Sequence, residues 1–147
     1  MDNADTVFRI ANLIIVAGWL VLALSPLRRG AAIAFARIAA ALVCGIYLTL
    51  LVRGLIMGPG MPDGAGFGSL DGVVALLSSP ESILAAWVHF LAFDLFIGSW
   101  QAEDAPKAGV PHWLLLPCLL LTFLAGPVGL LLYLCIKAAR RGKALKA

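Results

Sequence analysis

An aspartate and a histidine stand five positions apart in one otherwise apolar run, WVHFLAFDLFIGSW, at residues 87 to 100. Asp94 is the more telling of the two. A carboxyl near the centre of a membrane helix costs about 2.5–3.5 kcal/mol to insert, and such residues usually face a bundle interior or a functional cavity. Removed from water, it can give a proton to an apolar ligand or take one from it, and His89 is a second group able to do so. At about 100° per residue the two side chains lie about 140° apart around a helix, so spacing alone does not make them a dyad. Asp94 shares its face with Trp87, Phe90 and Leu91, while His89 shares its own with Phe93, Phe96 and Trp100. Flat rings at Trp87, Phe90, Phe93 and Phe96 beside one acid and one imidazole could wall a groove for a long conjugated or isoprenoid molecule; a Phe stripe on a membrane helix also serves as packing or as a lipid-facing surface. Asp94 has a structural alternative too, as the partner of Arg37, Arg53 or Asn12 across a bundle.

The elements that hold these residues follow from composition. In 147 residues, 62% are hydrophobic and 13% charged, with a mean hydropathy of +0.99. Soluble domains average about 45–50% apolar and about 25% charged, so the charges here are too few to coat a water-facing globule. The expected fold is all-α and integral to the membrane, a single domain over residues 1–147 built as a bundle of four transmembrane helices. The spans fall at about 7–25, 31–57, 81–100 and 111–136, each near the 20 residues that cross a bilayer. SSPES opens the third span with a capping Ser79, Pro80 at the first helical position and Glu81 at the positive end of the dipole. Pro117 and the pair Gly126–Pro127 should kink the fourth, because proline removes a backbone donor and crowds the preceding turn.

Other features support the bilayer reading. Arg37 and Arg53 lie near the two edges of the second span, where long side chains snorkel to the headgroups or form an inward ion pair. Ala32, Ala36, Ala40 and Cys44 recur every fourth residue as a small-residue stripe that lets a second helix approach closely, either another span of this chain or a second copy in a homo-oligomer. The Gly-rich stretch from Gly58 to Gly68 has neither the preceding strand nor the Lys-Ser/Thr of a phosphate loop and reads as a flexible connection. A short apolar segment at 70–78 can lie at the interface or dip into the membrane as a re-entrant turn. Three cysteines, Cys44, Cys118 and Cys135, fall in apolar runs without metal spacing, so neither a disulfide framework nor a metal site is expected. A basic tail over 137–147 contacts anionic lipid and, with four crossings placing both termini on one side, favours a cytoplasmic location for both. Nothing accompanies the tail that would recognise nucleic acid.

The strings SSPES, WVHFLAFDLFIGSW and PHWLLLPCLLLTFLAGPVGLLLY together resemble the abscisic-acid-deficient-4-like family, most strongly over residues 79 to 133, with a compatible two-helix start. The resemblance implies a small four-helix membrane protein connected, in plants, with conversion of violaxanthin to neoxanthin. That isomerisation opens a 5,6-epoxide and removes a proton to leave an allene, with no net redox change and no cofactor required in principle. Carried over onto HFLAFD, it makes His89 and Asp94 the candidate catalytic pair, with Arg37 or Arg53 as a charge partner; the groove rings Trp87, Phe90, Phe93 and Phe96, with Arg37 and Arg53, are the candidate substrate contacts. The start of the chain, directly at its first span, points to a bacterial inner-membrane protein. A carotenoid- or isoprenoid-binding protein, with isomerase activity as the enzymatic form of that reading, is the first expectation. A non-catalytic membrane scaffold, assembling through the small-residue stripe, is the second.

Overall fold

The computed structural model describes residues 2–58 and 60–144, with side chains described between 3 and 140. The described residues form five helices and no strand: α1 Asp2–Ala23, α2 Arg29–Ile56, α3 Leu70–Leu76, α4 Pro80–Lys107 and α5 His112–Ala144. Four of them, all but α3, are long and apolar enough to cross a membrane, as expected. Of the basic tail, residues 145–147 lie outside the described residues, as do the side chains of Arg141 and Lys143.

α4 is the central element. Ser79 caps it by accepting a hydrogen bond from the Ser82 amide at 3.1 Å, with Pro80 in the first turn. It stops at Gly109, whose φ of +66° suits glycine. The Val110 amide bonds the Ala105 carbonyl at 2.8 Å and the Gly109 amide bonds Pro106 at 3.1 Å, a Schellman arrangement that satisfies the last carbonyls.

α1 runs parallel to α4, and small residues bring them close. Gly18 faces Leu95, and Trp19 lies across Gly98, where an added Cβ would come within 2.6 Å of the indole. Lower down, the rings of Phe8 and Trp87 are 6.1 Å apart. α2 runs antiparallel to α4, with Tyr47 beside His89 at one level and Arg37 beside Glu103 at the other. Ala32, Ala36 and Ala40 are buried within this chain's own bundle, together with Val43, whereas Cys44 is exposed. Three of the four positions of the small-residue stripe are thus used in packing within this chain. α3 is capped by Ser69, which accepts from Gly72 at 3.0 Å, and its Leu70 and Val74 side chains are exposed.

α5 is a helical hairpin. Helical dihedrals persist through Pro117, where a kink was expected, and fail at Ala125 (φ −156°, ψ 70°), next to Gly126–Pro127. In a straight helix residues 118 and 129 would be about 16 Å apart along the axis. Here a Cβ on Gly129 would fall 2.6 Å from the Cys118 carbonyl oxygen and 2.1 Å from the Thr122 amide nitrogen. The first arm, 112–124, descends along α4, with Thr122 bonded to Gln101 and Gly126 set against Asp94. The second arm, 126–144, climbs back parallel to α4, with Tyr133 bonded to Asp104 and packed on Trp100. Consequently the start of α1 and the end of α5 lie at opposite ends of the bundle. The shared side expected for the two termini assumed a fourth helix that continues through; the reversal at Ala125 removes that assumption.

Candidate functional site

Asp94 is at the middle of α4 and points at the tip of the α5 hairpin. A Cβ on Gly126 would lie 2.0 Å from its Oδ1 and 2.7 Å from its carboxyl carbon, so the carboxyl occupies the space a side chain at 126 would need. Its neighbour is thus the break in α5, at the start of the second arm. None of the partners considered from sequence reaches it: Arg37 pairs with Glu103 and Asn12 bonds the Phe8 carbonyl of its own helix at 2.7 Å. Arg53 is exposed near the far end of α2. Asp94 itself is half-buried.

His89 lies on another face, as the helical angle predicted. Its ring stacks on Phe93 at 4.6 Å and meets Tyr47 of α2 edge-on at 5.4 Å, with Phe90 at 6.0 Å. Asp94 and His89 are therefore not brought together; one addresses α5 and the other α2. Nor do the four aromatic residues enclose a pocket. Trp87 is 44% exposed, Phe90 61%, Phe93 56% and Phe96 49%. The hairpin explains part of this exposure. Because α5 turns back at the level of Asp94, the lower half of α4 has no fourth helix over it. Trp87 lies about two helical turns directly below Asp94 on the same face, paired with Phe8 on α1. Phe96 lies on a different line, with the Arg37 guanidinium 5.9 Å from its ring centroid.

Above Asp94 lies a belt of polar side chains of which the sequence pattern singles out only Arg37 and Lys137. Gln101 and Thr122 are fully buried and bond each other, the Gln101 amide nitrogen donating to Thr122 Oγ1 at 3.0 Å. Thr122 also donates to the Cys118 carbonyl at 2.7 Å. Asp104 Oδ2 accepts from Tyr133 Oη at 2.7 Å and from Lys137 Nζ at 2.5 Å. Lys137 also stands 5.4 Å from the Trp100 ring. Arg37 bridges to Glu103 and to Ser99 Oγ at 3.4 Å, and Lys107 approaches Glu103 at 3.8 Å. His112 Nε2 bonds the Ala23 carbonyl at 2.9 Å, tying the top of α5 to α1. One signal was available for part of the belt. Tyr133 and Lys137 are four apart on one helix face, as are Glu103 and Lys107. Ending the third span at residue 100, two turns short of the end of α4 at Lys107, concealed it. Among the described residues no cluster of three or more His, Cys, Asp or Glu side chains could hold a metal ion.

The model of the ABA4-like family, described as ABA DEFICIENT 4-like, matches residues 6–133, nearly the whole length. The chain belongs to the ABA DEFICIENT 4-like family. The match extends from the first turns of α1 to Tyr133 and so takes in the first arm of the hairpin and the start of the second, with Asp94, Gly126 and the Asp104–Tyr133 bond. No curated protein and no solved structure matches the chain. For this ABA DEFICIENT 4-like protein, family membership and four apolar helices establish the kind of molecule; its ligand must be argued from the site.

Proposed function

We propose that this protein binds a long apolar isoprenoid of the carotenoid class along the uncovered lower half of α4, and that Asp94 moves the proton in its isomerisation. One observation carries this reading: a half-buried carboxyl at the hairpin tip stands at the upper end of an exposed aromatic strip on its own helix face, led by Trp87. Flat rings accept the face of a polyene, and below the tip only lipid competes for them. The chemistry suits a single carboxyl. Protonated Asp94 gives its proton to the epoxide oxygen as the carbon–oxygen bond opens; the resulting carboxylate takes a proton from the neighbouring carbon, leaving the allene. One proton is given and one recovered, so no oxidant or reductant is consumed. The resemblance in HFLAFD suggests this substrate class, and the position of Asp94 supports it. His89, turned toward α2, takes no part in the step.

The test is expression in a carotenoid-producing host, followed by purification and analysis of bound pigment. Wild-type protein should carry a polyene absorption spectrum. Trp87→Ala should reduce bound pigment several-fold, whereas Asp94→Asn should retain pigment and abolish isomer conversion. His89→Ala should leave both unchanged. Absence of any co-purifying polyene, together with unaltered pigment composition in the host, would remove this reading.

A further inference from the structure

The hairpin has a consequence for charge. Four complete crossings would set the α5 tail opposite the α1–α2 and α4–α5 turns, dividing the basic residues between the two ends. With α5 doubled back, Arg28 and Arg29 of the first turn, Lys107 of the second, and Lys137 and Arg140 of the second arm all fall at one end of the bundle. The acids there, Glu103 and Asp104, are each engaged by a basic side chain. The opposite end carries Asp5, Asp63, Asp71 and Glu81 against Arg9 and Arg53. The first arm of 13 residues, 112–124, reaches about 20 Å at 1.5 Å per residue, short of the roughly 30 Å hydrocarbon core. At its tip Gly126 is buried against Asp94 of α4 while the apolar Leu124, Ala125, Pro127 and Val128 around it are exposed, and Gln101 and Thr122 bond each other just above. Backbone groups freed at a proline within a membrane helix can be re-satisfied by neighbouring helices and hydroxyl side chains, and α4 and Thr122 adjoin this one.

We propose that α5 is a re-entrant hairpin that enters and leaves the membrane on one side, and that the basic end it completes is a docking face for the anionic phospholipid headgroups of the cytoplasmic leaflet. Three helices cross the bilayer, the start of α1 and the α3 loop face outward, and the tail beyond α5 faces the cytoplasm. A juxtamembrane Lys or Arg near an anionic leaflet contributes about 1 kcal/mol, and basic residues within short loops set orientation. Both effects act in one direction here only because the hairpin gathers these charges.

The experiment places one protease-cleavable tag before residue 1 and, in a second version, after residue 147 of the full chain in a bacterial host. Each is probed with external protease in intact spheroplasts and again after lysis. The leading tag should be cleaved in intact spheroplasts and the trailing tag only after lysis. Equal accessibility of the two tags would restore four crossings, and the reverse pattern would put the basic face outside; either overturns the proposal. A variant with Arg28, Lys107, Arg140, Arg141, Lys143 and Lys146 changed to Gln, but Lys137 kept for Asp104, should give partial cleavage of both tags. Full retention of the wild-type pattern in that variant would overturn the role given to the basic face.

Discussion

Asp94 and Gly126 are fitted to one another, and this pair makes the most specific prediction at the residue scale. Gly126 does not occupy the left-handed region, so alanine suits its backbone; the obstacle is the carboxyl that its methyl would meet. Gly126→Ala should therefore lower thermal stability in detergent by about 1–3 kcal/mol, the usual cost of overpacking. Asp94→Ala in the same chain should recover much of the loss, since contacting residues couple by about 0.5–3 kcal/mol in double-mutant cycles. Additive effects of the two changes would mean that the carboxyl is not lodged in the glycine's space. Thiol chemistry gives a second residue-scale expectation. Cys44 and Cys135 are exposed on apolar flanks and Cys118 is buried, so a membrane-soluble maleimide in detergent should modify the first two faster than Cys118, and the difference should vanish on denaturation, read by mass spectrometry.

At the scale of elements, polar contacts on α4 hold the hairpin closed. Gln101–Thr122 joins the first arm to α4, and Asp104 joins the second arm through Tyr133 and Lys137. Tyr133→Phe should cost about 0.5–1.5 kcal/mol, because it deletes one hydrogen bond while Lys137 remains with Asp104. Asp104→Ala should cost more, since it leaves both Tyr133 and Lys137 without that acceptor. Equal melting temperatures for the two variants would contradict this order. α2 makes the complementary case. Ala36 is fully buried, so Ala36→Leu should destabilise the bundle by about 1–3 kcal/mol through overpacking. Light scattering should show its oligomeric state unchanged, whereas a scaffold assembled through this stripe would lose oligomers.

The whole molecule is uneven along its axis. Around the upper half of α4, α1, α2 and both arms of α5 surround the helix, and the buried Gln101, Thr122 and Ser99 lie there. Around its lower half, only α1 and α2 accompany it, leaving Trp87 and Phe90 turned outward. Under the proposed function, the side left open at mid-depth would serve as a lateral entrance from the bilayer for the apolar ligand, with no need for a water-filled channel. Bound polyene should accordingly be exchanged by detergent-solubilised or vesicle-borne carotenoid without unfolding, a result measurable by the change in absorption spectrum.

Much of the fold is legible in the amino-acid sequence. The four apolar helices, the Ser79–Pro80 start of α4, the exceptional position of Asp94 and its separation from His89 follow from hydropathy, capping chemistry and the 3.6-residue period, all of which act over a few turns. The Gly126–Pro127 pair also identified where α5 would fail as a straight helix. The extent of that failure was not legible. A proline and a glycine permit a bend of any size, and only contacts distant in sequence, Gly126 with Asp94, Thr122 with Gln101 and Tyr133 with Asp104, select a full reversal. The same applies to the charges: sequence identified Arg37 as an exception within an apolar span, but its pairing with Glu103 rather than Asp94 depends on the antiparallel register of α2 against α4. Local physics determined the helices and their unusual residues, while tertiary packing decided which of those residues meet.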